Sequence, residues 1–242
     1  MLRSVIASPI WHLTYPARAW LFQASYLESA MIEAVIFDFG GVFTSSPFEA
    51  FTKYEAERGL PKDIIRSINA ANHETNAWAL FERAELDLDG FDKAFAAEAA
   101  ARGHEIPGRD LIPILAGTFR PEMIEALKRI RTKFKTGCIT NNVPSNRVGD
   151  TDEGRKFYAK EVMSLFGHII ESSKVGIRKP DPRIYEMMCK TLKVDPKACV
   201  YLDDLGVNLK PARALGMHTI KVESGPQAVA ALEAATGMNL TS

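Results

Sequence analysis

Two rhythms of apolar residues alternate along this 242-residue chain, and the places where one gives way to the other organise it. Val35-Ile36-Phe37 contains nothing polar and runs into Asp38-Phe39-Gly40-Gly41-Val42-Phe43. A short apolar run of this kind reads as a strand buried on both faces. Its end delivers Asp38 into a crevice, while Gly40 and Gly41 let the backbone turn away and leave room for a ligand. The spacing then becomes helical. Phe48, Phe51 and Tyr54 share one helix face, Ile64, Ile65 and Ile68 another, and Phe91 and Phe95 lead into the alanine-rich run to Ala101. Gly59-Leu60-Pro61, Asp89-Gly90 and Gly103 to Pro107 punctuate these runs. Residues 46–118 are too long for a connection and too helical for a loop, and are expected to form an inserted helical cap over the crevice.

Regular alternation follows. Pro121 to Lys133 places Met123, Ile124, Leu127 and Ile130 on one helical face behind a leading proline. The pattern predicts a strand at Thr136 to Thr140, a helix at Phe157 to Leu165, a strand at His168 to Glu171 and a helix at Pro182 to Leu192. A strand at Cys199 to Leu202, a helix at Asn208 to Leu215 stopped by Gly216, a strand at His218 to Val222 and a helix at Pro226 to Thr236 complete it. Strands alternating with helices of this length predict an α/β fold, a parallel sheet covered on both faces. The expected core is residues 31–45 and 119–242.

Residues 1–30 read differently, with Arg3, Arg18, Pro9 and Pro16 and no acid before Glu28. They are expected to be a disordered extension or a misassigned start upstream of Met31, with organelle targeting or a docked helix as alternatives. The balance of 30 basic and 30 acidic residues argues against a nucleic-acid footprint or an anionic membrane surface. Cys138, Cys189 and Cys199 lie in segments that read as core, which predicts reduced thiols and a cytoplasmic setting. No apolar run is long enough to span a bilayer, so a soluble protein is expected.

Polar groups fall at the strand ends. Asp38, Thr140 with Asn141, Lys179 in Arg178-Lys179-Pro180-Asp181-Pro182, and Asp203 with Asp204 all lie at or just beyond them. Parallel strands present their C-terminal ends on one edge, so these groups can converge there. A carboxylate nucleophile, a hydroxyl and amide, a lysine and paired acids make sense together for phosphoryl transfer through magnesium. Singly, each has a plainer reading: Asp203-Asp204 as helix caps, Thr140-Asn141 as a turn, Lys179 as a surface lysine. The segment Asn76 to Arg83 either faces the crevice or forms cap core, and its aromatic spacing favours core. The polar stretch Val143 to Arg155 reads as a solvated loop.

Taken as an ordered set, Asp38-Phe39-Gly40-Gly41-Val42, Thr140-Asn141-Asn142, Lys179-Pro180-Asp181-Pro182 and Tyr201-Leu202-Asp203-Asp204 with Asn208 resemble the motifs of the haloacid dehalogenase-like hydrolase superfamily. The resemblance covers about residues 31–236 and is nearest the branch holding the phosphatase domain of soluble epoxide hydrolase and its counterpart in acyl-CoA dehydrogenase family proteins. It implies a Rossmann-like core with a C1-type cap and a Mg2+-dependent phosphatase of a small phosphorylated molecule. Asp38 would become the aspartyl-phosphate, Thr140 and Asn141 would bind phosphate, and Lys179 would steady both. Asp38, the Gly40 carbonyl, Asp203 and Asp204 would form the metal site, with Asp204 the more direct of the last two. The family's usual phosphatase carries an acid/base aspartate where this chain has Gly40. A haloacid dehalogenase, a phosphotransferase and a binding protein that has lost turnover are the competing readings.

Overall fold

The computed structural model describes residues 31–144 and 153–241. The expectations for residues 1–30 and for most of the stretch after Val143 lie outside the described residues. The chain opens with β1 (Ala34–Phe37), and Phe39 to Phe43 then form a turn instead of continuing it. Helices α1 (Pro47–Glu57), α2 (Ile64–Ala70), α3 (Ala77–Glu82), α4 (Leu88–Ala100) and α5 (Gly108–Leu111) follow, with a short 3-10 turn at Pro113–Ala116. After α6 (Pro121–Ile130) come β2 (Lys135–Thr140), α7 (Glu153–Met163), β3 (His168–Glu171), α8 (Ser172–Val175) and α9 (Pro182–Leu192). The chain continues through β4 (Cys199–Asp203), α10 (Gly206–Ala214), β5 (His218–Lys221) and α11 (Gly225–Thr236).

The five strands form one parallel sheet in the order β3-β2-β1-β4-β5, which puts β1 at its centre. Alternation along the strands separates two cores. Val35, Phe37, Cys138, Val200 and Leu202 pack under α6 and α11 through Met123, Leu127 and Val229. Ala34, Ile36, Ile139, Cys199 and Tyr201 pack under α9 and α10 through Ile184, Tyr185, Met188 and Leu209. The central strands β1 and β4 are buried along their whole length because helices cover both sides, whereas the edge strand β5 leaves His218 and Lys221 exposed. Several bounds differ from the sequence expectation by one to three residues, and α7 begins at Glu153, four residues before Phe157, so that residues 153–155, expected to end a solvated loop, are helical. Two of the differences bear on the site. β4 runs one residue further and takes in Asp203, and α10 begins at Gly206, two residues before Asn208. The reason is local: Asp203 Oδ1 accepts the Leu205 N–H at 2.8 Å and closes the turn between them.

The helical insertion has its own apolar cluster, built from Phe51, Ile65, Ile68, Trp78, Phe81, Phe91, Phe95 and Leu111. Side-chain caps set two of its helices, Asn76 accepting from the Ala79 N–H and Asp87 from the Gly90 N–H. Its entry and exit run side by side. Thr44 bridges Phe119 antiparallel, Ser45 N–H donates to the Thr118 carbonyl at 2.7 Å, and Arg120 N–H donates to the Phe43 carbonyl at 2.8 Å. The three cysteines are buried free thiols, with Cys189 and Cys199 sulfurs 4.0 Å apart. Among the described residues no helix is long and apolar enough to cross a membrane.

Trp78 belongs to the insertion's core, 7% exposed and with its ring centroid 4.7 Å from that of Phe91. Trp78→Ala is therefore expected to cost about 3–5 kcal/mol of stability, visible as a lowered denaturation midpoint. An unchanged midpoint would show that the ring is not part of that packing.

Candidate active site

The register of the sheet builds the site. Phe37 pairs with Leu202, so Asp38 and Asp203 arrive level at the C-terminal edge of neighbouring strands. Residues two apart share a face, so Asp38 continues the line of Ile36, and Asp203 the line of Tyr201. Both carboxylates thus point to the side where the chain enters α9, and there they meet Lys179. Its Nζ lies 2.7 Å from Asp38 Oδ1 and 2.9 Å from Asp203 Oδ2, and the side chain is 1% exposed. The Lys179 main chain is clamped by one amide: its N–H donates to Asn141 Oδ1 at 2.8 Å, and its carbonyl accepts from Asn141 Nδ2 at 3.0 Å.

The two acids of the Asp203-Asp204 pair do different things. Asp203 is fully buried and both of its oxygens are engaged. Beyond Lys179 and the Leu205 N–H, it accepts from Tyr201 Oη at 2.6 Å and from Asn208 Nδ2 at 3.0 and 3.1 Å. Asp204 is one residue further and so faces the other way, toward the turn after Asp38. There it accepts from Ser46 Oγ at 2.9 Å and packs against Gly41, where an added methyl would collide with its carboxylate. Gly41 also has φ +72°, so both backbone and space demand glycine. Gly40 is different: its φ is not left-handed, and nothing lies within 4 Å of where a Cβ would be.

Asp38, Asp203 and Asp204 each bring an oxygen within 4.8 Å of the others. Among the described residues three carboxylates face a single ammonium, and the proton affinities of Asp38 and Asp204 are raised. Burial pushes Asp38 well above the usual carboxylate range; Lys179 opposes this, and Asp203 and Asp204 add to it. Burial, then Asp203, raises Asp204 as well. Burial works against the charge on Lys179, but the Asp203 and Asp38 carboxylates outweigh it and hold the ammonium above its ordinary value. A hard divalent cation suits such a donor set, all oxygen and with excess negative charge. The unspent oxygens are on Asp38 and Asp204, because Asp38 Oδ1 alone takes Lys179 and the Phe39 N–H.

Most residues singled out in the sequence meet here: Asp38, Lys179, Asp203 and Asp204 directly, and Asn141 through the Lys179 main chain. Thr140 ends β2 beside them, 7% exposed, and its hydroxyl has no hydrogen-bond partner among the described residues. Roles for Ser46, Tyr201 and Asn208 did not emerge from the sequence. Tyr201 carried a signal, standing two residues before Asp203 on the same strand face. Ser46, 158 residues from Asp204, carried none.

A family model described as haloacid dehalogenase-like hydrolase matches residues 32–216. Acyl-CoA dehydrogenase family member 10 of Mus musculus is 33% identical over 86% of this chain and 19% of its own length. Bifunctional epoxide hydrolase 2 of the same species is 30% identical over 85% of this chain and 39% of its own. The chain therefore spans less than half of either relative. Sesquiterpene phosphatase astK of Aspergillus oryzae is 27% identical over 76% of this chain and 87% of its own. Among solved structures, a predicted HAD-like family hydrolase from Porphyromonas gingivalis superposes with a TM-score of 0.61 at 20% identity, covering 87% of this chain and all of that one. HAD family enzyme bt-2542 from Bacteroides thetaiotaomicron, in complex with magnesium and inorganic phosphate, gives 0.54 at 18% identity, over 80% and 96%.

Charge surplus gives a pH signature. Asp38 and Asp204 are raised in the folded state, so the metal-free fold binds protons more readily than the unfolded chain, and stability is lost as pH rises from 3.8 through the raised values. Lys179 stays charged in both states across that window and adds no slope. If magnesium is the cation that suits this donor set, it should stabilise the fold more at pH 8 than at pH 5, by up to about 2.7 kcal/mol at a hundredfold excess over Kd, read as a larger rise in melting temperature at the higher pH. A magnesium effect that shrinks with rising pH would contradict this surplus. In the same assay Gly40→Ala should melt close to the parent, whereas Gly41→Ala should lose more than about 1 kcal/mol and the magnesium response.

Proposed function

Since the chain belongs to the haloacid dehalogenase-like hydrolase family, we propose that it is a magnesium-dependent phosphatase acting on a small organic phosphomonoester through an aspartyl-phosphate on Asp38. One observation carries the reading: Asp38 touches a buried lysine, and carboxylate oxygens of Asp38, Asp203 and Asp204 gather within 4.8 Å of one another. The bt-2542 complex with magnesium and phosphate, and the phosphatase among the relatives, support it at the level of the family.

In this proposal a carboxylate oxygen of Asp38 attacks phosphorus, the ester P–O bond breaks, and water later hydrolyses the acyl phosphate to free Asp38. Lys179 holds Asp38 in place and offsets charge on the transferring group. The Thr140 hydroxyl bonds a phosphate oxygen, as does the second Asn141 amide hydrogen, the first being used on Lys179. Asp38, Asp204 and the Gly40 carbonyl hold the metal, and Asp203 keeps Lys179 and the end of β4 in position. A magnesium ion held there would supply positive charge that offsets the repulsion between the Asp38 carboxylate and an anionic substrate.

Gly40 supplies no acid for the departing oxygen. Loss of such a group typically costs about a hundred- to ten-thousand-fold, so substrates with good leaving groups are favoured: acyl, anomeric or aryl phosphates.

A screen of phosphomonoesters with and without magnesium tests this, beside Asp38→Asn. Magnesium-dependent phosphate release abolished by Asp38→Asn is expected; metal-independent chloride release from a haloacid would instead establish the dehalogenase. Turnover should fall steeply as leaving-group pKa rises. Gly40→Asp, which the space around Gly40 admits, should help the poorest leaving groups most, by about tenfold or more. A flat dependence would rule out the missing acid as the limit.

A further inference from the structure

The insertion is fastened to the core at a second place, away from its paired linkers, and the fastening ends on the neighbours of catalytic groups. Glu82 closes α3, and its Oε2 accepts from Arg178 Nε at 2.6 Å, the two side chains being 15% and 20% exposed. Arg178 also donates through its terminal nitrogen to the His73 carbonyl at 2.7 Å, in the turn before α3. The Glu82 carbonyl accepts from Ser172 Oγ at 2.7 Å, and the same hydroxyl accepts the Asn142 N–H at 3.0 Å. Arg178 is bonded to Lys179, and Asn142 to Asn141. The strap before α9 is therefore gripped from the core by Asn141 and from the insertion by Glu82 and His73.

We propose that Arg178 and Glu82 are positioning residues, a latch that makes the placement of the Lys179 ammonium depend on the insertion being seated. The proposal rests on the phosphatase reading above. If the insertion lifts about the Thr44–Phe119 linkers, Arg178 loses both acceptors at once and the strap keeps only its inner clamp. A lysine displaced by about 1 Å can cost up to a hundredfold in rate. Seating would thus bring together two needs of the reaction, water exclusion and a correctly aimed ammonium. An arginine suits this work because its planar fork serves a carboxylate and a carbonyl together.

The test uses the full chain. Glu82→Gln, Arg178→Gln, the double variant and Arg178→Lys are compared by kcat and KM for p-nitrophenyl phosphate with magnesium, and by amide hydrogen exchange over residues 176–181. Either single change to Gln is expected to lower kcat about ten- to a hundredfold with KM changed less than about threefold, and to speed exchange in the strap. The double variant should lose no more than the worse single one, and Arg178→Lys should recover part of the loss. Additive losses, a loss confined to KM, or strap exchange unchanged in both single variants would overturn the latch. Should the parent release no phosphate, the phosphatase reading fails by itself, and exchange in the strap still decides whether the latch holds. Should a Gln variant melt early, Arg178→Lys carries the comparison, with a smaller kcat loss and faster strap exchange expected; parent-like values in both would overturn the latch.

Discussion

A lysine ammonium almost wholly out of water, between the carboxylates of Asp38 and Asp203, is the constraint on which the rest of this structure depends. Burying such an ion costs several kcal/mol and is tolerated only where opposite charge and hydrogen bonds surround it. That requirement explains the neighbours. Tyr201 and Asn208 occupy the remaining capacity of Asp203, so its carboxylate stays fixed against Lys179. Tyr185 donates to the Asn208 carbonyl at 2.7 Å and stands edge-on to the Tyr201 ring, which holds the tyrosine hydroxyls in one buried network. Asn141 fixes the lysine's main chain, so its placement does not depend on side-chain rotamers alone.

Among the described residues one ammonium faces three acids and does not neutralise them. The remaining negative charge is concentrated on Asp38 and Asp204, on the open side of the cluster, and it is there that a divalent ion gains most. The pair of adjacent acids thus divides its labour where the strand ends. Asp203, the last residue of β4, becomes the lysine's counter-ion, and Asp204, just past the strand, turns toward Gly41 and Ser46. Ser46 is also the residue before α1, and its hydroxyl serves Asp204 instead of capping that helix. The insertion therefore touches the site from two sides, through Ser46 at its entry and through Glu82 at the end of α3.

The adjacent glycines show how differently two identical residues are constrained. Gly41 is obliged by a left-handed backbone and by the carboxylate lying against it. Gly40 is obliged by neither its φ nor a neighbour of its Cβ position. Room for a Cβ exists where none is present. That combination directs attention to substrates whose leaving group needs little help.

Local pattern determined the alternation of strands and helices in the core, though not the short α8 between β3 and α9. An apolar run such as Val35 to Phe37 can only be satisfied by burial on both faces, and Pro182 with Asp181 before it marks a helix start wherever it is placed. The order of Asp38, Thr140, Lys179 and Asp203-Asp204 at strand ends was likewise legible, because parallel strands share one functional edge. Which of two neighbouring acids stays open, that Ser46 reaches Asp204, and that Arg178 grips the insertion were not legible. Those facts depend on strand register, on the direction in which each side chain leaves the sheet, and on contacts between residues as many as 158 positions apart. Sequence spacing carries no distance information of that kind; only the packed chain, with every buried charge required to find a partner, decides it.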